Sequence, residues 1–118
     1  MEKLNESRIF KQYQNIVLEG FDPVSAGGFT QLPNILLNST ELSFAAKVAY
    51  AKLLSYAWDN NLVFPGQETM AAKLDSSKSV INPAVQELQR HGWLEIRRRG
   101  QGKTNLYVLK HRVRTRRG

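Results

Sequence analysis

No cysteine occurs among the 118 residues. A disulfide framework and a thiolate metal site are therefore excluded. Histidine is almost as scarce. His91 and His111 are the only two, and neither has ligand or nucleophile spacing to a partner. No apolar run approaches the roughly 20 residues that span a bilayer. The opening Met1-Glu-Lys-Leu-Asn-Glu6 lacks a signal-peptide core. Cytoplasm is the expected compartment, with no membrane partner. No carboxylates are paired for acid–base work, so the sequence predicts no enzyme, no cofactor and no metal.

Acidic residues are absent from the C-terminal end. None follows Glu95, whereas Arg97, Arg98, Arg99, Lys103, Lys110, Arg112, Arg114, Arg116 and Arg117 all do. Those nine belong to a total of 17 basic residues, and the other eight stand against all 10 acidic ones. The net charge of +7 thus resides wholly in the last part of the chain. Such asymmetry points to a polyanion, nucleic acid before membrane.

At 42% hydrophobic and 23% charged, the chain reads as one globular domain with a modest core. Residues 1–28 read as an N-terminal arm. Ile9, Phe10, Tyr13, Ile16 and Val17 keep helical spacing, although Asn15 to Leu18 also suits a strand. Gly20 to Gly28 is loop chemistry. Residues 29–110 read as the folded domain, entered by an extended stretch to Pro33 and a short helical turn. Residues 111–118 read as a basic, disordered tail.

Within the domain, Ser43 or Thr40 can cap a helix running from Phe44 to Trp58. Its polar positions, Lys47, Lys52, Ser55 and Asp59, fall within a wedge about 140° wide. The remaining apolar face is wider than one contact surface requires. This helix is therefore either the buried centre of the domain or also covers a second surface. Leu62 to Phe64 reads as a short strand ended by Pro65-Gly66.

The stretch from Gln67 to Gln86 organises the rest. Met70 and Leu74 share one helical face, Ala71 is small where a second helix would cross, and Asp75-Ser76 mark a turn. Ser77 can cap the second helix, in which Ile81, Ala84, Val85 and Leu88 have the i, i+3, i+4, i+7 spacing of a buried face. Gly92 stops it. Two short helices across a tight turn make a helix-turn-helix. Pro83 is anomalous, because proline inside a helix costs about 3 kcal/mol. Either the helix continues with a kink, or Asn82 caps a shorter one. A kinked continuous helix keeps Ile81 in register with Ala84 and Leu88.

Trp93 to Arg99 and Thr104 to Lys110 read as strands joined by the hairpin loop Gly100-Gln-Gly-Lys103. A hairpin alone is marginal, so the Leu62–Phe64 strand is expected to join it in one small sheet. The class is mainly α with a small antiparallel sheet, in the order of a winged helix-turn-helix. In that fold the second helix of the motif can enter a DNA major groove. Its outward face offers Ser77, Lys78, Ser79, Asn82 and Gln86, residue types that reach bases or phosphates. The hairpin offers Arg97, Arg98, Arg99 and Lys103. Strand alternation would send Arg97 and Arg99 to one face and Arg98 to the other. The tail adds Arg112, Arg114, Arg116 and Arg117. Gly102-Lys-Thr104 is not a phosphate-binding loop, since Arg97 stands where that motif needs glycine.

Over Phe29 to Leu109 the chain resembles the winged helix-turn-helix domain of bacterial phage and plasmid replication initiators, the replisome organisers. The matching pieces are Leu32-Pro-Asn-Ile-Leu-Leu37, Leu42 to Leu53, Phe64-Pro-Gly-Gln-Glu-Thr-Met-Ala71, Leu88-Gln-Arg-His-Gly-Trp-Leu94 and Thr104-Asn-Leu-Tyr-Val-Leu109. The chain departs at Gly66, where the family more often has serine, and at Pro83. The resemblance implies binding to repeats at a replication origin, with replication proteins as partners. Some members act as repressors, and transcriptional repression is the alternative. A function of another class is a partner-binding module acting through the apolar face of the first long helix. That face also suggests a homodimer, with residues 1–20 packed on it within one chain or across a two-fold axis.

Overall fold

A computed structural model describes residues 15–20, 27–58, 64–102 and 105–110. Among these residues four helices are followed by a hairpin: α1 (Asn34–Leu37), α2 (Phe44–Trp58), α3 (Gln67–Lys73), α4 (Lys78–Arg90), β1 (Leu94–Arg97) and β2 (Leu106–Leu109). The strands pair antiparallel, with Leu94 opposite Leu109 and Arg97 opposite Leu106. This is a winged helix-turn-helix.

Helix boundaries follow local chemistry. The carbonyl of Pro33 accepts the N–H groups of Leu36 and Leu37 at 3.1 and 3.0 Å and starts α1. Ser43 caps α2, its Oγ accepting from the Ala46 N–H at 3.1 Å. Gly66 begins α3 with φ 119°, a conformation that side chains disfavour. Glycine there in place of a serine cap follows from that backbone angle.

The core is one cluster. Ala46, Ala49, Tyr50 and Leu53 of α2 meet Ile81, Ala84, Val85 and Leu88 of α4, with Met70 and Ala71 of α3, Leu36, Leu42 and Leu94 closing it. Both long helices present an i, i+3, i+4, i+7 stripe; the sequence predicts that of α4. Ala71 is 2% exposed, the small residue expected where α4 crosses α3.

Three expectations change. Among the described residues the sheet has two strands. Leu62 and Val63 lie outside those residues, and Phe64 is not in a strand. Phe64 precedes Pro65, which has no N–H for a ladder. Its ring packs instead on Tyr56 and Tyr107, with centroids 5.6 and 4.7 Å away. Second, the wedge of α2 bounded by Lys47 and Lys52 is not wholly polar. Phe44 (88% exposed), Val48 (49%) and Trp58 (60%) lie in it, opposite the core stripe. The wide remainder holds the core stripe of Ala46, Ala49, Tyr50 and Leu53, and these exposed apolar side chains lie outside it, among the polar positions. Third, Ile16 and Val17 are exposed, so within one chain they do not cover α2. Ile9, Phe10 and Tyr13 lie outside the described residues. Among the described residues no helix is long and apolar enough to cross a membrane.

Candidate nucleic-acid interface

The turn between α3 and α4 is set by backbone hydrogen bonds. Asp75 adopts φ 55°, the left-handed region. The Ser76 N–H donates to the Ala71 carbonyl at 2.8 Å and the Asp75 N–H to the Ala72 carbonyl at 3.0 Å. This is a Schellman closure, and aspartate is among the few residues that tolerate its left-handed position. The same closure ends α4. Gly92 (φ 79°) donates to Gln89 at 3.1 Å and Trp93 to Leu88 at 2.9 Å. The first closure aims α4, and the second sends the chain into β1.

Helix α4 is continuous through Pro83. That agrees with the continuous reading and leaves no shorter helix capped by Asn82. Ser77 occupies the N-cap position, but its side chain makes no capping hydrogen bond. Its hydroxyl instead lies 2.9 Å from that of Ser79. Ser77, Lys78, Ser79, Asn82 and Gln86 are all exposed. At about 100° per residue, Ser79, Asn82 and Gln86 lie on the side away from the buried stripe, and Arg90 extends their row. Arg90 is exposed there as well. The sequence reading missed it, although its position four residues after Gln86 was visible. Val80, 47% exposed, adds an apolar group at the edge of this face.

Helix α4 is tied to α2 by one carboxylate. Glu87 accepts the Ser43 N–H through Oε2 at 2.8 Å and the Ser43 hydroxyl through Oε1 at 2.7 Å. A capping box normally draws this carboxylate from the third residue of the same helix. Here that residue is Ala46, and the neighbouring helix supplies the group. The two Ser43 hydrogen bonds hold the Glu87 pKa below its usual 4.5. A depressed carboxylate stabilises the fold above its unfolded pKa, and that stabilisation is lost as pH falls through the folded one. The stability gap between wild type and Glu87→Gln should therefore be constant above about pH 5 and shrink on further acidification. Denaturant midpoints measured from pH 7 to pH 3 test this. A gap independent of pH would show that the carboxylate charge does not matter there.

On the hairpin the four predicted cations separate. Arg97 donates from Nε and Nη2 to Glu95 at 3.0 and 3.3 Å. Lys110 Nζ reaches Glu95 Oε1 at 3.1 Å. These contacts, that of Arg97 foremost, hold Glu95 down at about 2. β1 ends at Arg97, so strand alternation does not extend to the next two residues. Arg98 is exposed beside the loop. Arg99 lines a 430 Å³ cleft with Tyr56, Phe64 and Tyr107, so it does not share a face with Arg97. Lys103, Arg112, Arg114, Arg116 and Arg117 lie outside the described residues.

The inner face of the hairpin is anchored to the helices. Gln67 Nε2 donates to the Tyr107 hydroxyl at 3.0 Å. The Tyr50 hydroxyl reaches the Lys110 carbonyl at 3.4 Å, and Trp93 packs edge-on to Tyr50 with centroids 5.7 Å apart. Phe64 and Gln67 come from one motif quoted above and Tyr107 from another. The two motifs therefore meet in space, where they fix the hairpin against the start of α3.

Residues 40–94 match the profile of a helix-turn-helix domain family. The match covers both helices of the motif, the preceding α2 and the first residue of β1. Two solved structures share the fold. One is titled "N-Terminal domain of DNA binding protein"; it is 24% identical, with a TM-score of 0.59 over 88% of this chain and 89% of that one. The other, "Structure of Rep-DNA complex", has the same identity and TM-score, over 88% of this chain and 91% of that one. No curated protein matches the chain.

Proposed function

We propose that this domain binds duplex DNA in a sequence-specific manner, in replication initiation of a plasmid, phage or other mobile element. The reading is one of binding rather than catalysis. The observation that carries it is the exposed polar face of α4, held rigidly on α2 and flanked by a basic hairpin. Asn82 and Gln86 suit adenine edges, Ser79 and Lys78 suit bases or phosphates, and Arg90 suits guanine. A neighbour of the same fold has Rep and DNA in its title, and the motifs quoted above resemble those of replication initiators. Origin repeats and replication proteins are the partners this implies. Transcriptional repression uses the same interface; direct repeats beside the gene would favour initiation.

Binding should divide between hairpin and helix. Replacing Arg98, Arg99 and Lys103 by alanine is expected to weaken binding to all duplexes alike and to lower the salt slope by about 0.9 per lost phosphate contact. Replacing Asn82 or Gln86 should cost about 1–3 kcal/mol on the preferred duplex only. Genomic selection with purified protein supplies that duplex, and anisotropy titrations at several salt concentrations supply both quantities. Equal losses on preferred and random DNA after Asn82→Ala would exclude base reading by that residue.

The exposed Phe44, Val48 and Trp58 favour a second element of this reading, a homodimer formed through the outer face of α2. A two-fold pair would match repeated half-sites. Sedimentation equilibrium decides it. A protein that stays monomeric at about tens of micromolar, free and on a repeat-bearing duplex, rules the dimer out. Loss of a dimer on deletion of residues 1–20, with the domain still folded, would assign the contact to the arm.

A further inference from the structure

The outer face of the hairpin carries a three-member ion network that DNA binding would have to leave intact or break. Leu94 and Ile96 of β1 and Tyr107 and Leu109 of β2 pack toward the core. Alternation turns Glu95 and Arg97 to the other face. There both Glu95 oxygens are engaged: Oε2 by Arg97 Nε at 3.0 Å, and Oε1 by Arg97 Nη2 at 3.3 Å and by Lys110 Nζ at 3.1 Å. All three side chains remain 40–54% exposed, so a phosphate could reach the same donors. Glu95 is also the last acidic residue of the chain, set at the start of its basic portion.

We propose that Glu95 is a specificity-determining residue, occupying Arg97 and Lys110 so that the hairpin attracts duplex phosphates less strongly where sequence is not read. The proposal rests on the DNA-binding reading above. Its physical basis is competition. A phosphate oxygen and a carboxylate oxygen seek the same N–H groups. The carboxylate is already in place, and its charge opposes the approach of the phosphate. Sequence-independent affinity scales with the cations free to meet phosphates. Base contacts from α4 do not depend on this face. Glu95 therefore lowers non-specific binding more than specific binding, and the ratio between them rises. Arg97 becomes a member of this network rather than an open phosphate contact.

The test uses the full chain, a mixed random-sequence duplex and the duplex recovered by selection. Glu95→Gln keeps the shape and removes the charge. It should bind the random duplex about two- to tenfold tighter, the range that one net hydrogen bond spans. Its salt slope should steepen by about 0.9 for each cation released to a phosphate, and its preference for the selected duplex should fall. The gain should vanish when Arg97→Ala and Lys110→Ala are added. A gain that survives those two changes would reduce Glu95 to a general charge effect and overturn the proposal, as would unchanged affinity and slope. A second arm does not depend on Glu95→Gln folding. In the wild-type background, Arg97→Ala, which leaves Glu95 paired with Lys110, should lower the random-duplex salt slope by much less than Arg98→Ala does. A slope loss like that of Arg98→Ala would overturn the proposal. If wild type binds neither duplex, the DNA-binding reading itself falls. If it binds and these variants fail as stated, only the role of Glu95 falls.

Discussion

Leu88→Ala should destabilise the domain by about 2–5 kcal/mol, the range for truncating a fully buried leucine. Leu88 is 0% exposed. It lies in the middle of the single core cluster, on the stripe of α4 that meets α2. Its carbonyl also receives the Trp93 N–H that closes α4, so the cavity would open beside the start of the hairpin. A domain of this size has about 5–15 kcal/mol in total, and the loss takes a large share of it. Denaturant midpoints at unchanged m-value measure the cost. Val80→Ala on the same helix is the comparison. Val80 is 47% exposed, and its truncation should change stability by less than about 0.5 kcal/mol. Equal costs at the two positions would mean that α4 is rotated from the orientation described, and the outward face assigned to Asn82 and Gln86 would fall with it.

That orientation could be read from the sequence because it depends on local periodicity. Ile81, Ala84, Val85 and Leu88 repeat at helical spacing, so their burial and the exposure of Asn82 and Gln86 follow together. Helix α2 could be bounded for a related reason: Ser43 can cap and Phe44 to Trp58 contains no breaker. The hairpin followed from Gly100 and Gly102 between two apolar runs. What the sequence hid lies between distant positions. Glu87 meets Ser43 across 44 residues and Gln67 meets Tyr107 across 40, and no local pattern reports either pair. Phe64 was misread for the same reason, since its role comes from the Tyr56 and Tyr107 rings rather than from a ladder. The wide apolar face of α2 was visible. That its core stripe is Ala46, Ala49, Tyr50 and Leu53 became visible only once α4 was in place. In the sequence Arg97 and Arg99 shared one strand face and Arg98 took the other. They differ because Glu95 lies two residues before Arg97 on one strand face, and because β1 stops before the other two.

Pro83→Ala should raise stability by about 2 kcal/mol. Pro83 sits inside a continuous helix, where proline is about 3 kcal/mol worse than alanine. Its missing N–H deprives the Ser79 carbonyl of the usual helical partner, and its ring crowds that carbonyl. The ring is exposed, so it contributes little core packing in return. Against the gain stands the greater freedom that alanine gives the unfolded chain, worth about 0.4–1 kcal/mol. The helical term is larger, so the balance favours alanine. Denaturant unfolding gives the sign directly. A loss of stability would mean that Ile81 and Leu88 reach the core only through a distortion that proline imposes. Duplex titrations on the same variant then ask why proline is there. Ser79 and Lys78 precede it on the turn that would lead into a groove, while Gln86 and Arg90 follow it. If Pro83 sets the angle between those two groups, the stabilised variant should lose affinity for the selected duplex and keep its affinity for random DNA. Unchanged affinity for both would make Pro83 a stability defect without a part in recognition.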